Sequence, residues 1–372
     1  MPEATAELGW TRAQFSSGRW PYFLMSALGG LAAGQWTVRF GARPVLIAGA
    51  LSLASGLALL SRTHDLATFW VSQALYGLFM AGLGDIAIAG VLTAWVPSGR
   101  GKAMGLVYAA SNVAGFLVPQ VFARGVPLYG WRATVLWMGL AGGAAILPFA
   151  WLAGRRAPGH GSSPANARAA TDDSAQESMS LREALRTRSF WLLFFAVFGF
   201  FFFFVGMNDA FVSFLLDLGM TRGEAARYYG LAIGAGGLSK LAAGALGDWL
   251  HPRTGLLIDH GLLALASLLT LALPSQPLFF AFLVVYGFAI AMRDIVYPLA
   301  IGFCFGERTM PAVYGAVMMT LLLAAPLGSI VTSLVRDLTG SYQPAFAGFS
   351  VLNLIVLGAL WFVRRELAPA KR

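Results

Sequence analysis

Apolar stretches of about 20 residues recur along almost the whole chain, and this repetition limits the fold more than any other feature. A helix of that length crosses the roughly 30 Å of hydrocarbon in a bilayer. The stretches are continuously apolar rather than alternating, which argues against membrane-spanning strands. We predict eleven spanning helices, at residues 15–37, 44–61, 67–94, 103–123, 132–153, 189–216, 225–247, 254–273, 277–303, 312–335 and 343–363.

The composition agrees with a chain that is surrounded by lipid. Hydrophobic residues make up 58% of the sequence and charged residues 12%, whereas soluble domains carry about 25% charged residues. The predicted fold class is therefore all-α, a polytopic membrane protein. We recognise no nucleotide-binding loop, metal-ligand cluster or nucleophile–base pair in the sequence, so we predict that the protein is not an enzyme and has no cofactor or metal.

The net charge of +9 is spread unevenly over the connections between the spans. Basic residues concentrate on one side, as they do on the cytoplasmic face of membrane proteins, and we therefore predict no nucleic-acid partner. The partner of the apolar surface is the lipid bilayer. We predict a multi-pass protein of a cell membrane of the bacterial inner-membrane type, with its C-terminus and its one long polar segment in the cytoplasm.

That polar segment, residues 155–188, divides the chain into two predicted bundles, 1–154 and 189–372. It is rich in Gly, Pro, Ser and Ala and cannot bury a core, which indicates a linker. Near its end, Ser180 and Glu183 fit a capping box that would begin a short surface helix.

The two bundles repeat one pattern. The sequence "LAAGQWTVRFGAR" from Leu31 matches "LAAGALGDWLHPR" from Leu241, and the same offset of 210 residues pairs Tyr76 with Tyr286. We therefore predict two pseudo-repeated bundles of five and six transmembrane helices. The first helix of the first copy would precede Met1. We expect it to be encoded upstream, or the sequence to be a fragment; a natural eleven-helix protein is the alternative.

Two such bundles joined by a polar linker resemble the major facilitator superfamily of secondary transporters. The family carries an approximate G-x-L-a-D-r-x-G-r-k loop after the second helix of each half. The second copy matches it at Gly244, Leu246, Asp248 and Arg253, and the first copy at Gly34, Arg39, Gly41 and Arg43. The resemblance implies a role in the conformational change for these residues. Val38 replaces the first Asp, which should weaken the latch that the family builds there.

The sequences "LREALRTRSFWLLF" and "GWRAT" resemble the oxalate–formate antiporter and monocarboxylate transporter branch. In that branch a cation at the position of Lys240 binds the substrate carboxylate. The resemblance implies a transporter of a small organic anion, with a carboxylate as the expected class. Proton symport and exchange are both open as coupling modes, with alternating access of the two bundles. We expect a monomer.

Lys240 lies about 12 Å inside its span, eight residues before Asp248. Gly236 and Gly244 lie one turn before and after it, and such small-residue stripes pack against helices rather than lipid. An unpaired charge at this depth costs about 3 kcal/mol or more, so it needs a partner or a watery cavity. Lys240 could bind a substrate anion, or it could pair with an acid and join two helices.

Four further charged residues in the spans are candidates for the same site: Asp85, Asp209, Arg293 and Asp294. Asp85 could be the structural partner of Lys240 or a proton carrier. Arg293 could be a second anion anchor, with Asp294 or Asp209 balancing charge or carrying the proton. Adjacent residues on a helix point about 100° apart, so we expect Arg293 and Asp294 not to pair with each other.

Four uncharged residues are further candidates for substrate binding, with packing or helix capping as the alternative: Tyr76, Tyr286, Tyr297 and Asn208. We expect Asp259 to be a cap or a salt-bridge group. The histidines, at positions 64, 160, 251 and 260, are all expected to be solvated surface groups.

Two other functions remain open. The phenylalanine run at 200–204 and the buried acids favour an efflux transporter for hydrophobic or cationic compounds. A non-transporting membrane receptor, or a fragment of one, is the third possibility.

Overall fold

The structure is a computed structural model, and it describes residues 7–10, 14–15, 17–96, 98–153, 179–272 and 276–367. Regular structure in these residues is helical and includes no strand, which confirms the all-α prediction. The helices are α1 Arg19–Phe40, α2 Ala42–Ser61, α3 Leu66–Leu83, α4 Asp85–Trp95, α5 Arg100–Ala153, α6 Leu181–Ala184, α7 Arg188–Asp217, α8 Arg222–Gly247, α9 Pro252–Leu271, α10 Gln276–Phe305, α11 Met310–Val317, α12 Leu321–Thr339 and α13 Gln343–Leu360.

Each of the eleven predicted spans overlaps one or more of these helices. By length and hydropathy, nine stretches of the described residues qualify as membrane-spanning. Helix α1 and the first part of α5 are outside this set. In α1 the reason is local composition, because Gly, Trp, Tyr and Gln dilute its apolar residues. The chain is a multi-pass membrane protein.

Four predicted spans differ from the helices in their continuity. The span at 67–94 is divided at Gly84, where a Cβ atom would lie 2.1 Å from the carbonyl oxygen of Met80, so only glycine fits. The spans at 103–123 and 132–153 are joined in α5, which departs from helical geometry at Gly130, with φ of 75°. A 3₁₀ turn, Met318–Thr320, separates α11 from α12.

The helices pack into two compact units. The first unit comprises Met1–Pro97, Ala114–Ser178 and Glu307–Met319, and the second comprises Ser98–Val113, Met179–Gly306 and Thr320–Arg372. Neither unit is one continuous stretch of chain. The predicted limits at 1–154, 155–188 and 189–372 stay a prediction, because residues 154–178 of the linker lie outside the described residues.

Each unit is built from a small set of helix–helix contacts. In the first unit α3 packs against both α1 and α2, and α11 packs along α1. In the second unit α10 packs against α8 and α9, while α7 packs against α12 and α13. Aromatic side chains from α7, α10 and α13 form the core of the second unit, and its largest buried members include Phe203, Phe282 and Phe346.

The helix boundaries reproduce the sequence repeat. Helix α9 begins and ends 210 residues after α2, α10 spans the α3–α4 pair at the same offset, and α11 begins 210 residues after α5. The close approaches repeat as well. A Cβ atom on Gly105 would lie 2.7 Å from the carbonyl oxygen of Lys240, and one on Gly315 would lie 2.5 Å from that of Gly30.

Candidate substrate site

Lys240 is buried in the second unit, with 6% of its surface exposed. Its Nζ atom lies 2.8 Å from Asp294 Oδ2 on α10. It also donates to Ser111 Oγ at 2.8 Å and to the carbonyl oxygen of Tyr108 at 3.3 Å, both on the first part of α5. The ammonium group therefore has an acceptor for each of its three protons, as a buried charge requires.

Asp294 is shared by two cations. Its Oδ2 pairs with Lys240, and its Oδ1 accepts a hydrogen bond from Nη2 of Arg293. The expectation that Arg293 and Asp294 do not pair was wrong. The 100° between their Cα–Cβ directions does not prevent the contact, because the long arginine side chain can reach its neighbour's carboxylate, and burial strengthens the attraction.

Aromatic rings cover the other side of Arg293. Its guanidinium carbon lies 5.1 Å from the ring centres of both Phe200 and Phe201 on α7, within the range of cation–π attraction. Arg293 is 8% exposed. Lys240, Arg293 and Asp294, called here the charged triad, together carry one net positive charge.

The other candidates in the second unit make different contacts. Tyr286 is fully buried and its ring packs against those of Phe203, Phe211 and Phe282. On α7, Asn208 accepts a hydrogen bond from the Tyr229 hydroxyl at 2.5 Å, and Asp209 accepts one from Ser329 at 2.6 Å. The structure thus brings together Lys240, Arg293 and Asp294. Tyr286, Asn208 and Asp209 make the separate contacts described above.

Asp85 and Tyr76 lie in the first unit. Asp85 is the first residue of α4, directly after the break at Gly84, where the positive end of the helix dipole favours a carboxylate. The sequence interpretation had placed it in the middle of a continuous helix. Tyr76 packs in an aromatic group, with its ring centre 5.7 Å from that of Tyr22 and 5.2 Å from that of Phe79.

Sequence reasoning missed a second buried cluster, on α9. His260 and Asp259 are both fully buried, so the expectation of a solvated histidine was wrong. Asp259, expected to be a cap or a salt-bridge group, lies 3.4 Å from Nδ1 of His260. The spacing could have revealed them, because they share a helical face with Leu256 and Leu263, which are also fully buried. His64 and His251 are exposed as expected, and position 160 lies outside the described residues.

Tyr297 belongs to this second cluster. It lies on α10, one turn after Asp294, and is fully buried. Its hydroxyl oxygen lies 3.3 Å from Nε2 of His260. Tyr297 thereby links the helix that carries Asp294 to the buried pair on α9.

The loop motif of the second copy docks on the start of α5. Asp248 ends α8, and its carboxylate accepts hydrogen bonds from the backbone N–H groups of Gly101, at 2.6 Å, and Lys102, at 3.2 Å. These are unpaired donors of a helix N-terminus, which favours an anion. A Cβ atom on Gly244 would lie 2.6 Å from the Gly101 carbonyl oxygen, so glycine permits this approach. Arg253 donates to the Trp361 carbonyl oxygen.

The first copy makes an apolar version of the same contact. A Cβ atom on Gly34 would lie 2.2 Å from the carbonyl oxygen of Pro311, at the start of α11. By the repeat offset, Val38 replaces the acceptor Asp248 and Pro311 replaces the donor Gly101. Proline has no N–H group, so the acceptor and the donor are replaced together.

The remaining motif residues of the first copy surround the end of α1. Gly41 has φ of 83° and donates its N–H to the carbonyl oxygen of Thr37, which ends the helix. The guanidinium groups of Arg39 and Arg43 lie over the rings of Phe40 and Trp151, at 5.1 and 4.4 Å.

Comparison with known proteins identifies the family. The sequence profile of the Major Facilitator Superfamily matches residues 1–292. The chain belongs to this superfamily. Members of the Major Facilitator Superfamily and the solved structures of similar fold are transporters, so the chain is a membrane transporter and not an enzyme.

Two solved transporters share the fold. The human organic anion transporter MFSD10 (TETRAN) has a TM-score of 0.68 and 20% identity, over 96% of this chain and 87% of that one. The E. coli fucose:proton symporter FucP has a TM-score of 0.70 and 16% identity, over 95% and 91%. A structure of FucP in the outward conformation has a TM-score of 0.69 and 16% identity, with the same coverage. At these identities the likeness shows the fold alone.

Proposed function

We propose that the chain is a secondary active transporter of a small organic anion, with carboxylates as the substrate class, by proton symport or exchange. The observation that carries this proposal is the charged triad, in which one buried carboxylate serves two buried cations. Its surplus positive charge matches a monovalent anion. Lys240 and Arg293 bind the substrate, and Asp294 balances the charge.

The sequence repeat supports a role in binding rather than in folding. The positions equivalent to Lys240, Arg293 and Asp294 in the first copy are Gly30, Leu83 and Gly84. The equivalent helices of the first unit therefore pack without any of these charges. Burying an ion costs several kcal/mol in desolvation, so three buried charges that the first unit does without indicate a role beyond packing.

Binding would occur by exchange of partners within the triad. A substrate carboxylate has two oxygens, which can accept from the ammonium of Lys240 and the guanidinium of Arg293 as those of Asp294 do now. No cation is then left without an acceptor while the substrate enters. The Ser111 hydroxyl and the rings of Phe200 and Phe201 adjoin the triad and are further candidate contacts.

The fold by itself does not decide the substrate. It serves an organic anion transporter in one solved case and a fucose:proton symporter in another, so we rely on the charge of the site. We propose that the chain belongs to the oxalate–formate antiporter and monocarboxylate transporter branch of the superfamily. We also propose a cell membrane of the bacterial inner-membrane type, with a cytoplasmic C-terminus.

Efflux of hydrophobic or cationic compounds is the second candidate, and the phenylalanine run on α7 favours it. In the structure, however, Phe200 and Phe201 lie against the protein's own cation, Arg293. A positively charged guest would meet repulsion at this place. The anion is therefore the better match.

Uptake into proteoliposomes tests the proposal, with radiolabelled acetate, lactate and oxalate as probes and tetraphenylphosphonium as the competing cation. Replacing Lys240 by Met should lower carboxylate uptake about 10- to 100-fold, because a charged hydrogen bond contributes about 1.5–3 kcal/mol. Lys240→Arg should retain part of the activity.

Lys102→Met is the matched control, since this lysine side chain is exposed. It should transport like the wild type. Carboxylate uptake that is equal in Lys240→Met and the wild type would refute the proposal. Transport of tetraphenylphosphonium without any carboxylate would establish the efflux function instead.

A further inference from the structure

Asp259 and His260 form a buried ionisable pair outside the charged triad. The two residues are adjacent on α9 and both are fully buried. Asp259 Oδ2 lies 3.4 Å from His260 Nδ1. Neither carboxylate oxygen of Asp259 accepts a hydrogen bond from any of the described residues. A carboxylate in such a place is stable only when a proton or a cation is at hand.

The surroundings of His260 suit both of its protonation states. Its Nε2 atom lies 3.3 Å from the Tyr297 hydroxyl and 3.4 Å from the carbonyl oxygen of Ala196 on α7. A neutral imidazole can accept from the tyrosine hydroxyl at Nε2. A protonated imidazole can donate from Nε2 to the Ala196 carbonyl and from Nδ1 towards Asp259. The pair can therefore gain or lose a proton without leaving His260 unpartnered.

The fold does not require this pair. The equivalent residues of the first copy are Gly49 and Ala50, on the helix α2 that has the same bounds after the offset. Gly49 packs closely against Gly82, because a Cβ atom added to Gly82 would lie 2.7 Å from the Cα of Gly49. The first unit thus uses small residues for the same helix contact, and the second unit places two titratable groups there.

Charges on α10 face the pair. Arg293 and Asp294 both act electrostatically on Asp259, and Tyr297 contacts His260 directly. From the other side, α13 packs on α9, and its sequence over Gln343–Leu360 contains no acid, base, tyrosine or cysteine. Helix α7 contributes the Ala196 carbonyl group. The triad is therefore the electrostatic neighbour of the pair.

We propose that Asp259 and His260 are the proton-binding site of this transporter, and that their protonation sets the charge available to the substrate anion. The inference rests on the proposed function. With Asp259 ionised and His260 neutral, the pair cancels the single positive charge of the triad. One proton taken from water and bound to the pair restores that charge, and no other bond changes. Anion and proton would then bind together, which is symport rather than exchange.

One test observes the proton directly. In a His64→Gln, His160→Gln, His251→Asn variant, His260 is the only imidazole, and asparagine retains the helix cap at position 251. Nitrogen-15 NMR of this histidine-labelled protein in lipid nanodiscs should show both the neutral and the protonated ring as the pH is varied over the range in which the protein stays folded. A ring that keeps one form over this whole range would overturn the inference, whatever the substrate is.

The second test separates coupling from transport. Asp259→Asn should lose accumulation of labelled lactate driven by a pH gradient, by about 10-fold or more, while exchange of lactate at equal pH on both sides continues, because the triad keeps its positive charge without a proton. His64→Gln, an exposed histidine, is the matched control and should retain both. Gradient-driven accumulation that persists in Asp259→Asn would overturn the inference alone. A wild type that moves no carboxylate would overturn the proposed function, and the NMR result would still decide whether the pair binds a proton.

Discussion

Removing the shared carboxylate should destabilise the protein more than removing one of its two cations. In Asp294→Asn, Lys240 and Arg293 are 6% and 8% exposed and lose their common counter-ion. Breaking a buried ion pair from one side costs about 3–5 kcal/mol. In Lys240→Met, Arg293 still neutralises Asp294, and a side chain of similar length fills the space, so we expect a loss of about 1–2 kcal/mol.

The expected difference between the two variants is therefore about 2 kcal/mol, or roughly 30-fold in the ratio of folded to unfolded protein. Equilibrium unfolding in mixed detergent micelles, followed by tryptophan fluorescence, measures it. Asp337→Asn changes an exposed acid in the same way and should stay within about 0.5 kcal/mol of the wild type. If Asp294→Asn proves as stable as Lys240→Met, Asp294 does not serve both cations, and the triad does not carry the surplus positive charge proposed for it.

Three further predictions concern packing, a buried hydroxyl and a helix cap. Gly244→Ala should lower the free energy of unfolding by about 1–3 kcal/mol, because the added Cβ would lie 2.7 Å from the Cα of Gly105. Gly230→Ala on the same helix meets open space and should be neutral or stabilising in the same unfolding assay. Tyr286→Phe removes a buried hydroxyl that makes no hydrogen bond to the described residues, so stability should rise by about 1 kcal/mol with lactate uptake unchanged; lower uptake would assign Tyr286 to the substrate. The capping box at the start of α8 lies outside the membrane-spanning stretch. Hydrogen bonds with the N-cap residue lower the pKa of Glu224 below its usual 4.5. The stabilisation of α8 by the ionised Glu224 is therefore complete above pH 4.5 and is lost as the pH falls through the lowered pKa. Hydrogen exchange of the first-turn amides of α8 should show this loss in the wild type and not in Glu224→Gln.

The sequence by itself determined the spans, the repeat and the family. A stretch of 20 apolar residues in lipid must satisfy its backbone groups internally, so helix formation is a local consequence of composition. The repeat and the loop motif are patterns along the chain and need no coordinates. For the same reason Lys240 stood out as a site candidate, because a charge in such a stretch is costly wherever its side chain points.

The partners of the buried charges were decided only by the tertiary structure. Hydropathy cannot tell which carboxylate Lys240 meets, since this depends on how α8, α10 and the start of α5 pack and on how far each side chain reaches. The same limit explains the contact between Arg293 and Asp294, the break at Gly84 and the burial of His260. A polar residue in a span carries the same composition signal on an outer face as inside, and only neighbouring helices distinguish the two environments.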